Sequence, residues 1–506
     1  MTHPTSADVV IIGSGHNGLV SGILLARAGL RVVMLEASDV IGGATRTERP
    51  FTKVPGLQQS TGSYLLGLMP PELMRTLDVN IPVLRRDPHY FLPTPGSSYL
   101  LIGSQRTDNG IYSDADLRAD ALMQAELAQL REDLAPAWLA EPGTVEETAE
   151  RYIRPALRRA FVDLVQGSVL DYLNRFDFAS ELLISMYAVT DGLSGINAGP
   201  DDAGTGHNFL VHNMCRLPGA DGTWMIAQGG MGTVSRLFSE AFVAAGGQIF
   251  TSSRVASVLS SGGAVSGVAL ASGDVIDAPV VLGACDPYEL MKIAPVPSGL
   301  RERMKAHQRT GTTMKVNLAL SGLPTFKCLP PGAPSPFGST IHLLPGSDGD
   351  QPLARLRRMW EQVQSGQLPD EPTIEWYLHT TVDPSLMDDE GHHSSALFVQ
   401  SVPYGADVPD SYVDSLLAIC DSYAPGTSEL VADTFTLSPS GIESHFGITG
   451  GHIHHVDNTV ALASRMPYAT GFPGLYAGSA GCHPAGSVIG AAGHNAANRI
   501  LTDLGK

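Results

Sequence analysis

Residues 8–36 read Asp8-Val-Val-Ile-Ile-Gly13-Ser-Gly15-His-Asn-Gly18-Leu-Val-Ser-Gly-Ile-Leu-Leu-Ala-Arg-Ala-Gly29-Leu-Arg-Val-Val-Met-Leu-Glu36, and this stretch decides the fold. Residues 8–12 form a β-branched, almost continuous apolar run, the pattern of a parallel strand covered on both faces. Residues 19–28 have helical character and stop at Gly29, where a C-terminal glycine belongs. Residues 31–35 give a second apolar strand, ending at Glu36, 23 positions after Gly13. Strand, glycine turn, helix, strand and acid stand in the order of a dinucleotide-binding βαβ unit. Gly13 makes the tight turn, Gly15 lets a pyrophosphate approach the backbone, and Gly18 lets the helix pack on the strand. The helix N-terminus faces the phosphates, and Glu36 is placed for a ribose hydroxyl; its charge disfavours a 2′-phosphate.

The rest of the chain fits a soluble enzyme-sized protein. Its 506 residues allow two or three domains, and 43% hydrophobic with 16% charged residues is ordinary globular composition. The formal net charge is −19, and there is no Lys/Arg cluster, which excludes nucleic acid as a natural partner. Five scattered cysteines, none in a C-x-x-C pair, suggest neither a disulfide framework nor a zinc cluster. The N-terminus lacks a signal-peptide pattern, so a cytoplasmic protein is expected. The apolar run Tyr64-Leu-Leu-Gly-Leu-Met-Pro-Pro71 has two readings, a buried segment or an exposed patch for peripheral membrane contact.

The βαβ unit alone does not choose between FAD and NAD. Ile41-Gly42-Gly43-Ala44-Thr45-Arg46-Thr47 resembles the glycine-doublet segment of the flavin amine oxidase and phytoene desaturase superfamily. A second glycine-rich turn lies near the C-terminus. There, residues 474–478 end a strand, and residues 485–492 are expected to open a helix running to about Leu504. Such a helix N-terminus could hold negative charge on a flavin ring.

Further motifs extend the resemblance over nearly the whole chain: Ser63-Tyr-Leu-Leu66, Gln228-Gly-Gly-Met-Gly232, Gly447-Ile-Thr-Gly-Gly451 and Ala480-Gly-Cys-His-Pro-Ala-Gly486. The sequence resembles the phytoene desaturase-related flavoproteins, and within them is most similar to the pyridine nucleotide-disulfide oxidoreductase domain-containing protein 2 group. That resemblance implies an α/β fold: a Rossmann-like FAD-binding domain assembled from residues 1–70, 225–286 and 464–506, and a mixed-sheet-plus-helices α+β substrate domain from residues 71–224 and 287–463. The implied cofactor is FAD. Its implied contacts are Gly13, Gly15, His16, Asn17, Gly18, Glu36, Gly42, Gly43, Ala44, Thr45, the Val255 backbone, Gly478, Ser479, Val488 and Ile489. Ser479 stands where the amine oxidases commonly carry an acid for the ribityl chain.

Three residues are the candidates for chemistry. Thr313–Leu320 alternates, with Met314, Val316, Leu318 and Leu320 on one face and Lys315 on the other. An ammonium in so apolar a strand must either pair or face a cavity. Its position resembles the amine oxidase lysine that holds a water near the flavin. His455, in His452-Ile-His-His455, matches a family histidine, whereas His454 replaces a usual aromatic residue. His483 is placed beside the flavin by the resemblance. Each imidazole has a structural reading as well, and no metal is expected.

The expected function is an FAD-dependent oxidoreductase, a desaturase or dehydrogenase passing hydride from a carbon–carbon bond of a small apolar or amphipathic organic substrate to flavin N5. With one nucleotide fingerprint in the chain, oxygen, a quinone or another carrier would reoxidise the flavin. The alternatives are a flavin amine oxidase, a redox-neutral double-bond isomerase and a non-catalytic FAD-stabilised interaction protein. Oligomeric state is left open.

Overall fold

The computed structural model describes residues 3–220 and 222–506. At its centre is the parallel sheet foretold by residues 8–36. Its five strands run in the order Leu475–Ala477, Val280–Gly283, Val9–Ile12, Val32–Leu35 and Gln248–Phe250. Every pairing is parallel. The first two βαβ strands are buried along their whole length, as continuous apolar runs require. Three distant stretches of chain thus build one sheet. An antiparallel sheet of Val255–Ser261, Ala264–Leu270 and Val275–Asp277 accompanies it.

Helix His16–Arg27 lies between two others, Gly232–Ala244 and Ala491–Asp503. Small residues set those approaches. A Cβ on Gly22 would come within 2.9 Å of the Phe242 ring, and one on Gly493 within 2.0 Å of the Asn17 carbonyl oxygen. Ser21 Oγ donates to the Gly493 carbonyl at 2.8 Å, fixing the C-terminal helix against the first.

The second sheet has eight strands, ordered Val431–Leu437, Met314–Leu320, His393–Val399, Ile374–Leu378, Thr340–Leu343, Tyr90–Pro93, Tyr99–Ile102 and Thr107–Asn109. It is antiparallel except where Thr340–Leu343 meets Tyr90–Pro93. One face packs Met314, Val316, Leu318, Trp376 and Leu397 against helix Asp410–Tyr423 through Leu416 and Cys420. The opposite face looks toward the first sheet across a cavity. A separate apolar core joins the helices of residues 114–212, including Asp114–Leu134 and Thr205–His212.

Three sequence expectations change. The C-terminal helix begins at Ala491, not near residue 485, because Gly490 adopts φ +77°. Val488 and Ile489 therefore sit in the loop before it. Residues 155–173, whose amphipathic pattern predicts a helical stretch, are broken into shorter pieces at Gly167, where Ser168 and Asp171 form a capping box for the next turn. The run Tyr64–Pro71 is no surface patch: Tyr64, Leu66, Leu68 and Met69 are all buried, and Leu66 pairs with Met225 in an isolated bridge. The segment proposed for membrane contact belongs to the core. No helix among the described residues is long and apolar enough to cross a membrane.

Candidate active site

A cavity of about 560 Å³ runs from the glycine loop to the inner face of the eight-stranded sheet. At the nucleotide end its wall contains Gly13, Gly15, His16, Asn17, Glu36, Gly42, Gly43, Ala44, Thr45 and Val255. Gly13 holds φ +100°, and a Cβ there would press on the Cys285 backbone nitrogen at 3.2 Å. Gly15 is different: a Cβ at that position would meet nothing within 4 Å. Its bareness opens space to a ligand rather than to a neighbouring strand. Gly15 and Gly42 form a bridge, which lays the glycine doublet alongside the first loop.

Glu36 closes this end. One of its carboxylate oxygens accepts from Ser14 N (2.9 Å) and Ser14 Oγ (2.8 Å), and the other from Ser38 N (2.9 Å). These bonds orient the carboxylate on the cavity wall while leaving it lone pairs for ribose hydroxyls.

Gly18 lies outside the wall. Its Cβ would fall 2.4 Å from the Gly13 carbonyl oxygen, so it serves the packing of helix on strand. Gly478 also packs: a Cβ there would lie 2.8 Å from Ala496 Cβ. Ser479 is buried, its Oγ accepting from Gly481 N at 3.2 Å. Of the C-terminal pair, Val488 lines the cavity and Ile489 enters the helical core. Asn17 does two things, lining the cavity while its Oδ1 accepts from Gly493 N at 3.3 Å at the start of the C-terminal helix.

Two histidines meet in the middle. His16 and His455 both line the cavity, and burial lowers them to about 4 and about 3, so both rings are neutral near pH 7. His16 Nδ1 is 3.2 Å from Thr45 Oγ1, and His455 Nδ1 has no partner. His455 also has φ +61°, a conformation that non-glycine residues seldom hold without support. Neighbouring bonds provide that support. His452 Nε2 donates to Asp457 at 2.9 Å, and His454 Nε2 donates to the Ser194 carbonyl at 3.1 Å.

Behind the loop, buried Arg465 donates to the carbonyls of Val456, Asp457, Val460, Ala480 and Cys482. It ties the histidine segment to the C-terminal glycine turn. His483 stands apart from these residues: it is off the cavity wall, donating from Nε2 to the Ala137 carbonyl at 2.9 Å. Cys482 is fully buried, its thiol pushed up to about 12 by burial.

The sheet end is unusually polar for a buried wall. Lys315, Phe398 and Glu375 occupy one register row on three adjacent strands, and Lys315 and Glu375 are each only 3% exposed. Lys315 Nζ lies 4.2 Å from the Tyr64 ring centroid and 4.5 Å from that of Phe398. No ion pair engages it among the described residues, and burial pulls it down to about 7. Glu375 accepts from the Tyr377 hydroxyl at 2.7 Å, and burial pushes it up to about 7. Tyr90, Thr190, His212, Trp224, Thr340 and Tyr377 share the wall.

Glu375 and Tyr377 were missed at the level of sequence. The signal was present in Ile374-Glu-Trp-Tyr-Leu378, a strand that alternates apolar residues with an acid and a phenol.

A sheet with bare glycines at one end, an oriented acid beside them and a buried polar wall opposite defines a nucleotide-cofactor oxidoreductase. The chain belongs to the flavin containing amine oxidoreductase family, whose model matches residues 18–341. It is 30% identical to rat (Rattus norvegicus) pyridine nucleotide-disulfide oxidoreductase domain-containing protein 2, over 98% of this chain and 94% of that protein. It is 25% identical to hydroxyneurosporene desaturase of Cereibacter sphaeroides, over 98% of both chains. Among solved structures, cyclohexylamine oxidase from Brevibacterium oxydans superposes with a TM-score of 0.59 at 15% identity, covering 99% of this chain and all of that one. An oxidoreductase from Methanosarcina mazei gives 0.63 at 16% identity, covering 98% and 99%.

The protein is a flavin-dependent oxidoreductase and its cofactor is FAD. The cavity agrees with that cofactor in its chemistry: space for a pyrophosphate at Gly15, an oriented acid at Glu36 and an unpartnered buried imidazole at His455.

Proposed function

We propose that the protein is a desaturase or dehydrogenase that removes hydrogen from a carbon–carbon bond of an apolar or amphipathic organic substrate. Residues 1–70, 225–286 and 464–506 hold FAD in this reading, and residues 71–224 and 287–463 hold the substrate. The observation that carries it is the far wall of the cavity. Tyr64, Tyr377, Phe398, Leu65 and Ile453 form one apolar cluster there. Beside it stand Lys315 and, behind Thr340, the buried Arg86, whose Nη1 donates to Thr340 Oγ1 at 2.9 Å. The aromatic and apolar lining of this wall favours a substrate with an apolar carbon body.

When bound, FAD would supply a two-electron hydride acceptor. The chain's own residues do the rest. Gly13, Gly15 and the doublet Gly42-Gly43 admit the pyrophosphate, and Glu36 holds ribose. Val488, just before the C-terminal helix, carries that helix's N-terminus toward the flavin end. The aromatic cluster excludes water and lays the substrate flat. Lys315 Nζ takes or holds the proton lost from the adjacent carbon, a task suited to a group poised near neutrality. The final electron acceptor in this reading would be oxygen, a quinone or another carrier.

The test is anaerobic. Candidate alkenes, alcohols, ketones and amines are added while the visible flavin band is followed. Bleaching by compounds without nitrogen, reversed by oxygen or a quinone, is the expected result; bleaching by amines alone would favour the amine-oxidase reading.

A further inference from the structure

We infer that the far wall of the cavity is a recognition site for a neutral hydroxyl group, so that the substrate is an alcohol with an apolar body rather than a plain hydrocarbon. The inference deepens the proposed reading and rests on it.

The wall follows from strand alternation. Ile374, Trp376 and Leu378 face the sheet's apolar core, which turns Glu375 and Tyr377 to the cavity. Met314 and Val316 do the same for Lys315. A hydrocarbon-binding surface has no use for these groups, because burying each one unpaired is costly.

Both retain bonding capacity. Glu375 Oε2 accepts from Tyr377, but Oε1 has no partner. The Thr190 hydroxyl, which faces the same carboxyl, is engaged with His342 Nδ1 at 2.9 Å. Lys315 Nζ is covered by the Tyr64 and Phe398 rings and makes no hydrogen bond among the described residues.

Charge then selects the ligand. Arg86 is buried with Nη2 unpartnered, its Nε donating to the Trp224 carbonyl at 3.0 Å, and with Lys315 it sets two basic groups beside two acids, Glu375 and Asp191, in one buried region. Asp191 is buried too and accepts from Asn213 Nδ2 at 3.2 Å, so acids and bases are matched, and a ligand ammonium or carboxylate would add a net charge with no counter-charge left over. A hydroxyl adds no charge to this matched set: its hydrogen goes to Glu375 and its oxygen can accept from Lys315. Leaving it out strands two buried polar groups, the situation that gives hydrogen-bonding sites their selectivity against analogues lacking the group.

The experiment uses the FAD-loaded protein and two matched series. One is geraniol, geranylamine, geranic acid and the deoxy hydrocarbon of geraniol; the other is dodecanol, dodecylamine, dodecanoate and dodecane. Affinity is read from the flavin difference spectrum under anaerobic conditions and from the shift in the thermal unfolding midpoint. In at least one series the alcohol is expected to bind about tenfold or more tightly than its hydrocarbon, and more tightly than its amine and acid.

Glu375→Met is expected to bring alcohol and hydrocarbon to similar affinity while FAD content is kept. If that variant loses FAD, Tyr377→Phe, which removes the hydroxyl holding Oε2, serves instead and is expected to reduce the preference. Equal binding of hydrocarbon and alcohol, tighter binding of the amine or acid, no alcohol binding in either series, or a preference that survives both variants would each overturn the inference. The underlying desaturase reading fails separately, if alcohols bind as expected but no compound without nitrogen ever reduces the flavin.

Discussion

Lys315 and Glu375 lie two strands apart on one row, and burial drives them in opposite directions, the lysine down to about 7 and the acid up to about 7. The consequences for stability follow in sign. An unfolded lysine keeps its proton up to about 10.5, so from about 7 to that value the unfolded chain binds more protons and stability rises with pH. An unfolded glutamate loses its proton near 4.5, so from about 4.5 to about 7 the folded chain binds more protons and stability falls as pH rises. The two slopes meet near neutrality. Urea unfolding at pH 5, 7 and 9 checks this: Lys315→Met is expected to flatten the rise between 7 and 9, and Glu375→Gln the fall between 5 and 7. Unchanged slopes in both variants would show that neither group is buried as described.

At the scale of elements, the structure separates glycines that serve the ligand from glycines that serve the fold. Gly15 borders open cavity, whereas Gly18 faces the Gly13 carbonyl at a distance no Cβ tolerates. Gly18→Ala is therefore expected to push helix His16–Arg27 away from strand Val9–Ile12, costing about 3 kcal/mol, with FAD lost as the loop moves. Gly15→Ala should keep the unfolding midpoint of the FAD-free protein and lose cofactor affinity. Denaturation of the two apoproteins, compared with their FAD titrations, distinguishes these outcomes; equal destabilisation by both would contradict the division.

The βαβ unit was readable because each of its parts is local: an apolar run, a glycine turn, a helix and an acid in fixed order. The C-terminal helix was misplaced by several residues because Gly490 turns the chain left-handed, and residues 485–490 are held by long-range bonds such as Gly486 N to Asn458 Oδ1 at 2.8 Å. Arg465 gave no sequence signal at all, since its role is to gather carbonyls from two segments that only the fold brings together.

For the molecule as a whole, two sheets from interleaved pieces of chain enclose one elongated cavity. Its nucleotide end was legible from residue 8 onward. Its far end was only half legible: Lys315 stood out as a charge in an apolar strand, while Glu375 and Tyr377 acquire meaning from the register that sets them beside Phe398 and Lys315. Tyr64–Pro71 carries the same lesson in reverse. Its hydrophobicity is satisfied by the core between the two parts of the chain, which leaves that segment no membrane-facing role.

The central claim is that hydrogen leaves a carbon–carbon bond, and a single anaerobic turnover tests it most directly. One equivalent of a compound that bleaches the flavin is mixed with the FAD-loaded protein, and the product is identified by mass and by its double-bond position. The account predicts one reduced flavin for each product molecule, a product two hydrogens lighter with a new carbon–carbon double bond, and every heteroatom retained. Release of ammonia with formation of a carbonyl compound would contradict it, as would a reduced flavin with no new carbon–carbon double bond in the product.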